Sequence, residues 1–118
     1  MQMIKLKKKF EKYLKIDPAS PSGLVWNTKP AKNVAVGAQA GNQVQKGYYR
    51  LKLKGVNYYA HRVIAILAGL YDCEKLSRDS LSYQVDHINR QRDDNSVNNL
   101  RVLTASQNIQ HKFRDVTV

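Results

Sequence analysis

Three observations predict a small α+β fold. Apolar residues recur at helical spacing in two short segments, Ile4 to Ile16 and Val63 to Leu70. An alternating strand pattern lies between them, from Tyr48 to Ala60. A strand, polar loop, strand, helix order then follows from Leu81 to Phe113. The 118 residues give room for one compact domain, or for a small catalytic module with an attached binding segment.

In the first segment Ile4, Leu6, Phe10, Tyr13, Leu14 and Ile16 are set among six lysines, which predicts a short amphipathic helix ending before Asp17-Pro18. Ala19 to Gly23 is turn-rich and reads as a link. Leu24-Val25-Trp26 suits a short strand, and the Ala, Gly and Asn of the next stretch, to Lys46, suit irregular backbone. From Tyr48 to Lys54 the alternation puts Tyr49, Leu51 and Leu53 on one face and Arg50, Lys52 and Lys54 on the other. Gly55 turns the chain into a second strand, Val56 to Ala60, completing a hairpin with one basic side. A helix follows, with Gly69 suited to its end. Further on, Leu81 to Asp86 is read as a strand, Ile88 to Asn99 as a loop and Leu100 to Leu103 as a return strand. A helix from about Ala105 to Phe113 opens with Thr104 and Gln107 as a capping box.

Twenty Lys and Arg against nine Asp and Glu give a net charge of +11, so a polyanion is the expected partner. Residues 18–71 carry bases and no carboxylate, a bias better explained by phosphate contact than by solubility. From Asp72 onward acids and bases balance, and two of the three histidines, His87 and His111, lie there. Cation-binding chemistry is therefore expected in that third. The lone cysteine, Cys73, makes neither an internal disulfide nor a thiolate zinc site, so we expect no structural zinc. With no apolar run near the length of a membrane span and no signal-like segment, a cytoplasmic location is expected, in a bacterial host cell if the chain is phage-encoded.

Asp86-His87, followed by Asn99 and then Asn108, is the spacing that carries a family resemblance. The run VDHINRQRDDNSVNNLRVLTASQNIQHK resembles the HNH endonucleases, in particular their zinc-free phage and intron-encoded homing-type branch. The upstream stretches KIDPASPSGLVW and VGAQAGNQVQKGYYRLKLKGVNYYAHRV are similar to the same proteins. The resemblance implies three parts within one compact domain. Residues 1–23 form a basic amphipathic helix and linker, 24–75 a basic strand, hairpin and helix that contacts DNA, and 76–118 a ββα-metal nuclease motif.

By that resemblance His87 is the general base, Asn99 holds its ring in the working orientation, and Asp86 with Asn108 ligates one divalent cation. Mg2+ suits such oxygen ligands, with Mn2+ as a substitute. An imidazole with a pKa near neutrality is chemically suited to take a proton from water. Neighbouring strand residues point to opposite faces, so Asp86 joins His87 at one site only if the strand ends or bulges there. Arg50, Lys52, Lys54, Arg62, Arg90, Arg101, His111 and Lys112 are the expected DNA contacts. His61 is expected to pack or to touch a phosphate, and Trp26 to lie in the core. The family pattern has Arg where Ser96 stands and often Asn where His111 stands; neither change removes an expected metal ligand. Two rival functions remain at this level, a DNA-binding module with an inactive nuclease site and a basic RNA-binding protein.

Overall fold

The computed structural model describes residues 2–29, 32–70 and 83–104. Helix α1 (Gln2–Tyr13) opens the chain and gives way at once to strand β1 (Leu14–Ile16). β1 pairs antiparallel with β2 (Leu24–Trp26), Leu14 opposite Trp26 and Ile16 opposite Leu24. The sequence pattern carried the helix to Ile16, three residues too far. Leu14, Lys15 and Ile16 alternate inward and outward, and β2 offers them a ladder that a further helical turn would forgo. The freed end of α1 is capped from β2's far side: the Asn27 amide donates to the Tyr13 carbonyl and the Thr28 hydroxyl to that of Lys12.

A three-stranded sheet follows, ordered β3 (Asn42–Gln43), β4 (Tyr49–Leu53), β5 (Val56–Tyr59). Its hairpin matches the sequence pattern. Leu51 and Leu53 are buried, Arg50 and Lys52 exposed, and Leu53 pairs with Val56 across a two-residue turn. Lys54 and Gly55 hold φ of 50° and 80° there, the doubly positive geometry that matches the twist of the flanking strands and that glycine adopts without penalty. Lys54 thus lies in the turn, not the strand. β3 is too short and polar to have been read from the sequence.

Helix α2 (Ala60–Leu67) leaves β5 with no intervening loop. It ends as expected at Gly69, where the Leu70 amide reaches back to the Ala65 carbonyl. Its residues Ala60, Val63, Ile64, Ala65 and Ile66 are buried together with Phe10, Leu14, Leu24, Trp26, Leu51, Leu53 and Leu100. This shared apolar cluster draws on α1, β1, β2, β4, α2 and the last strand, so the hairpin half and the Asp86-His87 half are packed on the same helix. Strands β6 (Tyr83–His87) and β7 (Leu100–Thr104) form an antiparallel pair, with Asp86 opposite Arg101 and His87 opposite Leu100. The helix expected from Ala105 to Phe113 lies outside the described residues, and with it Asn108, His111 and Lys112. Among the described residues no helix is long and apolar enough to cross a membrane.

Candidate active site

His87 is the last residue of β6, which is how two strand neighbours come to share a site. Both Asp86 and His87 line one cleft, together with Tyr48, Arg90 and Arg92. Leu100, opposite His87, sits in the core, so the imidazole is anchored at the base of the cleft and only 6% exposed.

The Asn95 side chain is bound to the His87 ring, Oδ1 lying 2.8 Å from Nε2. The same amide donates from Nδ2 to the Ser22 carbonyl at 3.0 Å. A carbonyl only accepts, so this second bond assigns the amide orientation, and Oδ1 must face His87. Nε2 then carries a hydrogen, and Nδ1 is left as the proton acceptor. Should Nδ1 take a proton, the Nε2–H to Asn95 bond persists and is strengthened by the charge.

Ser22 is fully buried and fixed in turn, its hydroxyl donating to the Ala40 carbonyl at 2.6 Å. Gly23, with φ of 83°, makes this approach possible: a Cβ there would lie 2.7 Å from Ile64 Cδ1 and 3.2 Å from Asn95 Cβ. The link between β1 and β2 is therefore part of the floor beneath the His87 ring.

The ring contact expected of Asn99 is thus made by Asn95. Asn99 acts on the backbone instead: its carbonyl accepts the Ile88 amide at 2.8 Å and its Oδ1 the Asn89 amide at 3.0 Å, while Nδ2 donates to Asn89 Oδ1 and to the Asp94 carbonyl. It ties the two ends of the loop immediately after His87. Asp94 joins the same brace, accepting from Asn89 Nδ2 and the Ser96 amide. The Ser96 hydrogen bonds hold its carboxyl below the usual range. Nothing in a single sequence separates Asn95 from Asn99, since the deciding partner, Ser22, is 73 residues away.

Asp86 is half-buried, and its Oδ2 accepts from Arg101 Nε at 3.2 Å across the β6–β7 ladder. Its carboxylate is a hard oxygen donor facing the cleft beside His87, the ligand chemistry a cation such as Mg2+ takes. Among the described residues no group of three or more His, Cys, Asp or Glu surrounds it. A single carboxylate in an open cleft suits a hard ion that keeps part of its water shell.

Behind His87 stands His61, in the first turn of α2, its ring centroid 4.8 Å away. Burial, then the nearby His87 and Arg62, push the His61 imidazole down to about 3, and its Nδ1 has no hydrogen-bond partner among the described residues. It is a neutral wall at working pH. Tyr48 touches both imidazoles, at 5.5 Å from His61 and 6.1 Å from His87, and Tyr59 at 5.6 Å. Because Tyr59 is the cross-strand partner of Arg50, the basic outer face of the hairpin runs directly into the aromatic wall of the cleft. Arg62 is exposed on α2, and Arg90 holds φ of 65° in the cleft loop.

Residues 58–110 match the family model of HNH endonucleases. The match covers less than half of the chain and makes this segment similar to that family. It takes in the end of β5, all of α2 and the β6–β7 pair, and so contains His61, Asp86, His87, Asn95 and Asn99. The HNH match supports a nuclease function for the chain in general terms. Comparison with curated proteins and with solved structures gave no match.

Proposed function

We propose that the chain is a metal-dependent HNH endonuclease that hydrolyses DNA phosphodiester bonds, with His87 as the general base. The observation that carries this reading is the His87–Asn95–Ser22 relay, which leaves Nδ1 as proton acceptor in a cleft shared with Asp86.

In the proposed reaction Nδ1 of His87 takes a proton from the attacking water. Asn95 Oδ1 holds the Nε2–H throughout, so the ring neither rotates nor changes tautomer as it becomes an imidazolium. Asn99 fixes the backbone that follows His87, and the neutral ring of His61 closes the site from behind without adding a competing positive charge. A divalent cation held by Asp86 and Asn108, Mg2+ or Mn2+, would supply charge stabilisation to the phosphate and the departing 3′ oxygen. The products would be a 5′-phosphate and a 3′-hydroxyl. Arg50, Lys52 and Lys54 on the hairpin, with Arg62, Arg90, Arg101, His111 and Lys112, are the proposed DNA contacts. The net charge of +11 supports a polyanionic substrate.

Plasmid DNA incubated with Mg2+, with Mn2+ and with chelator, followed by end mapping, tests the reading. Cutting that needs metal and leaves those ends supports it. Binding without cutting under every metal points instead to a DNA-binding module, and preference for structured RNA over DNA to an RNA-binding protein.

A further inference from the structure

Arg92 lines the same cleft as Asp86 and His87. Its guanidinium lies over the Tyr48 ring, 5.1 Å from the centroid, and Nη1 donates to the Lys46 carbonyl at 3.1 Å. Both supports are neutral. No carboxylate of the described residues is paired with it, whereas Arg101 engages Asp86. The carbonyl is presented by a tight turn in which Lys46 has φ of 73°, and Tyr48 is itself held among Tyr59, His61 and His87. The side chain is therefore held by two contacts before any ligand arrives, and among the described residues its charge meets no carboxylate and most of its five N–H donors are uncommitted.

Preorganisation of this kind favours anion binding, because the rotamer entropy of a long side chain has already been given up. A guanidinium fork matches two phosphate oxygens, and an aromatic face beneath it orients the fork without quenching the charge. A purely structural role, pinning the loop after β6 to the turn before β4, would equally be served by an arginine paired to a carboxylate. The absence of that carboxylate among the described residues favours a ligand.

We infer that Arg92, mounted on Tyr48, binds a backbone phosphate of the DNA strand in the cleft and so positions that strand against His87. The inference rests on the nuclease reading above, and its test is chosen to separate the two. Binding of a short duplex is measured by anisotropy across a salt series, without metal, in the His87→Ala background, so that cleavage plays no part. Arg92→Ala is expected to lower the slope of log affinity against log salt by about 0.9, which is about an 8-fold loss of affinity at 0.1 M salt. Arg92→Lys should restore the slope, because the charge returns. Tyr48→Leu should weaken binding about 3-fold with the slope kept, and Tyr48→Phe should bind like the parent.

In the otherwise wild-type protein, Arg92→Ala should raise KM more than it lowers single-turnover kcat, and Arg92→Lys should recover KM while kcat stays reduced, the fork geometry being absent. An unchanged slope and KM in a folded Arg92→Ala protein would overturn the inference and leave the residue as a loop pin. A wild-type chain that binds DNA without cutting would overturn positioning against His87, while the slope would still decide the phosphate contact.

Discussion

Replacing His61 by Phe keeps a ring against Tyr48, Tyr59 and His87 but removes the titratable nitrogens. In the folded protein burial holds the imidazole neutral, with a pKa of about 3 against 6.5 in the unfolded chain. The unfolded chain therefore binds the extra proton between those values, and stability contributed by this group is complete above pH 6.5 and lost as pH falls toward 3. The loss is about 1.4 kcal/mol per pH unit, or about 2.7 kcal/mol at pH 4.5. Urea unfolding of wild type and His61→Phe at pH 7.5, 6.5, 5.5 and 4.5 reads the difference. Filling the space of the unpartnered Nδ1 with carbon shifts the absolute stability by removing a buried unsatisfied atom and by adding volume, so the slope with pH decides. The expected result is a curve for the variant flatter by about that amount over the acid range. Parallel curves would show that His61 titrates as it does in the unfolded chain, and the neutral wall behind His87 would be refuted.

Gly23→Ala should destabilise the protein by about 2 kcal/mol or more in the same unfolding assay, since φ is 83° and the new methyl would meet Ile64 Cδ1 at 2.7 Å. Asn95→Ala should lower the single-turnover cleavage rate by about 10- to 100-fold with little change in DNA affinity, because the ring is no longer held in one tautomer. It should also cost about 1–3 kcal/mol of stability, since Nε2 of His87 and the Ser22 carbonyl are left without their partner. Removing charge at Arg50, Lys52 and Lys54 together should reduce the salt slope of DNA binding by up to about 0.9 for each phosphate that is no longer neutralised; an unchanged slope would take the hairpin face out of the DNA surface.

The parts of the fold that were legible in the sequence are those whose stabilising partners are local. The β4–β5 hairpin follows from period-two alternation joined by Lys54-Gly55, and α2 from its apolar stripe and Gly69. The end of α1 was misplaced because Leu14, Lys15 and Ile16 satisfy a helical and a strand pattern equally, and the choice is made by β2, ten residues on. β3 carries no signal at all, its Asn and Gln being placed by the neighbouring strand. At the site, the family resemblance singled out Asp86 and His87, and the structure puts both in one cleft because β6 ends there. The orienting asparagine was not. Asn95 and Asn99 are alike in composition and loop context, and only contact with Ser22, from the far side of the core, distinguishes a ring partner from a loop brace. For His61 the sequence left packing and phosphate contact open, and its burial shows packing, although a polar residue in the first turn of an apolar helix gives no sign of which wall it faces.

The central claim is that His87 is the base, and it is tested most directly by single-turnover cleavage of DNA by His87→Ala at saturating Mg2+ and pH 7. The account predicts a rate lowered by about 100-fold or more, with DNA affinity and the urea midpoint little changed. Asp86→Ala, measured alongside, should show weaker metal affinity as well as a lower rate. A folded His87→Ala protein that cuts at the wild-type rate would contradict the account.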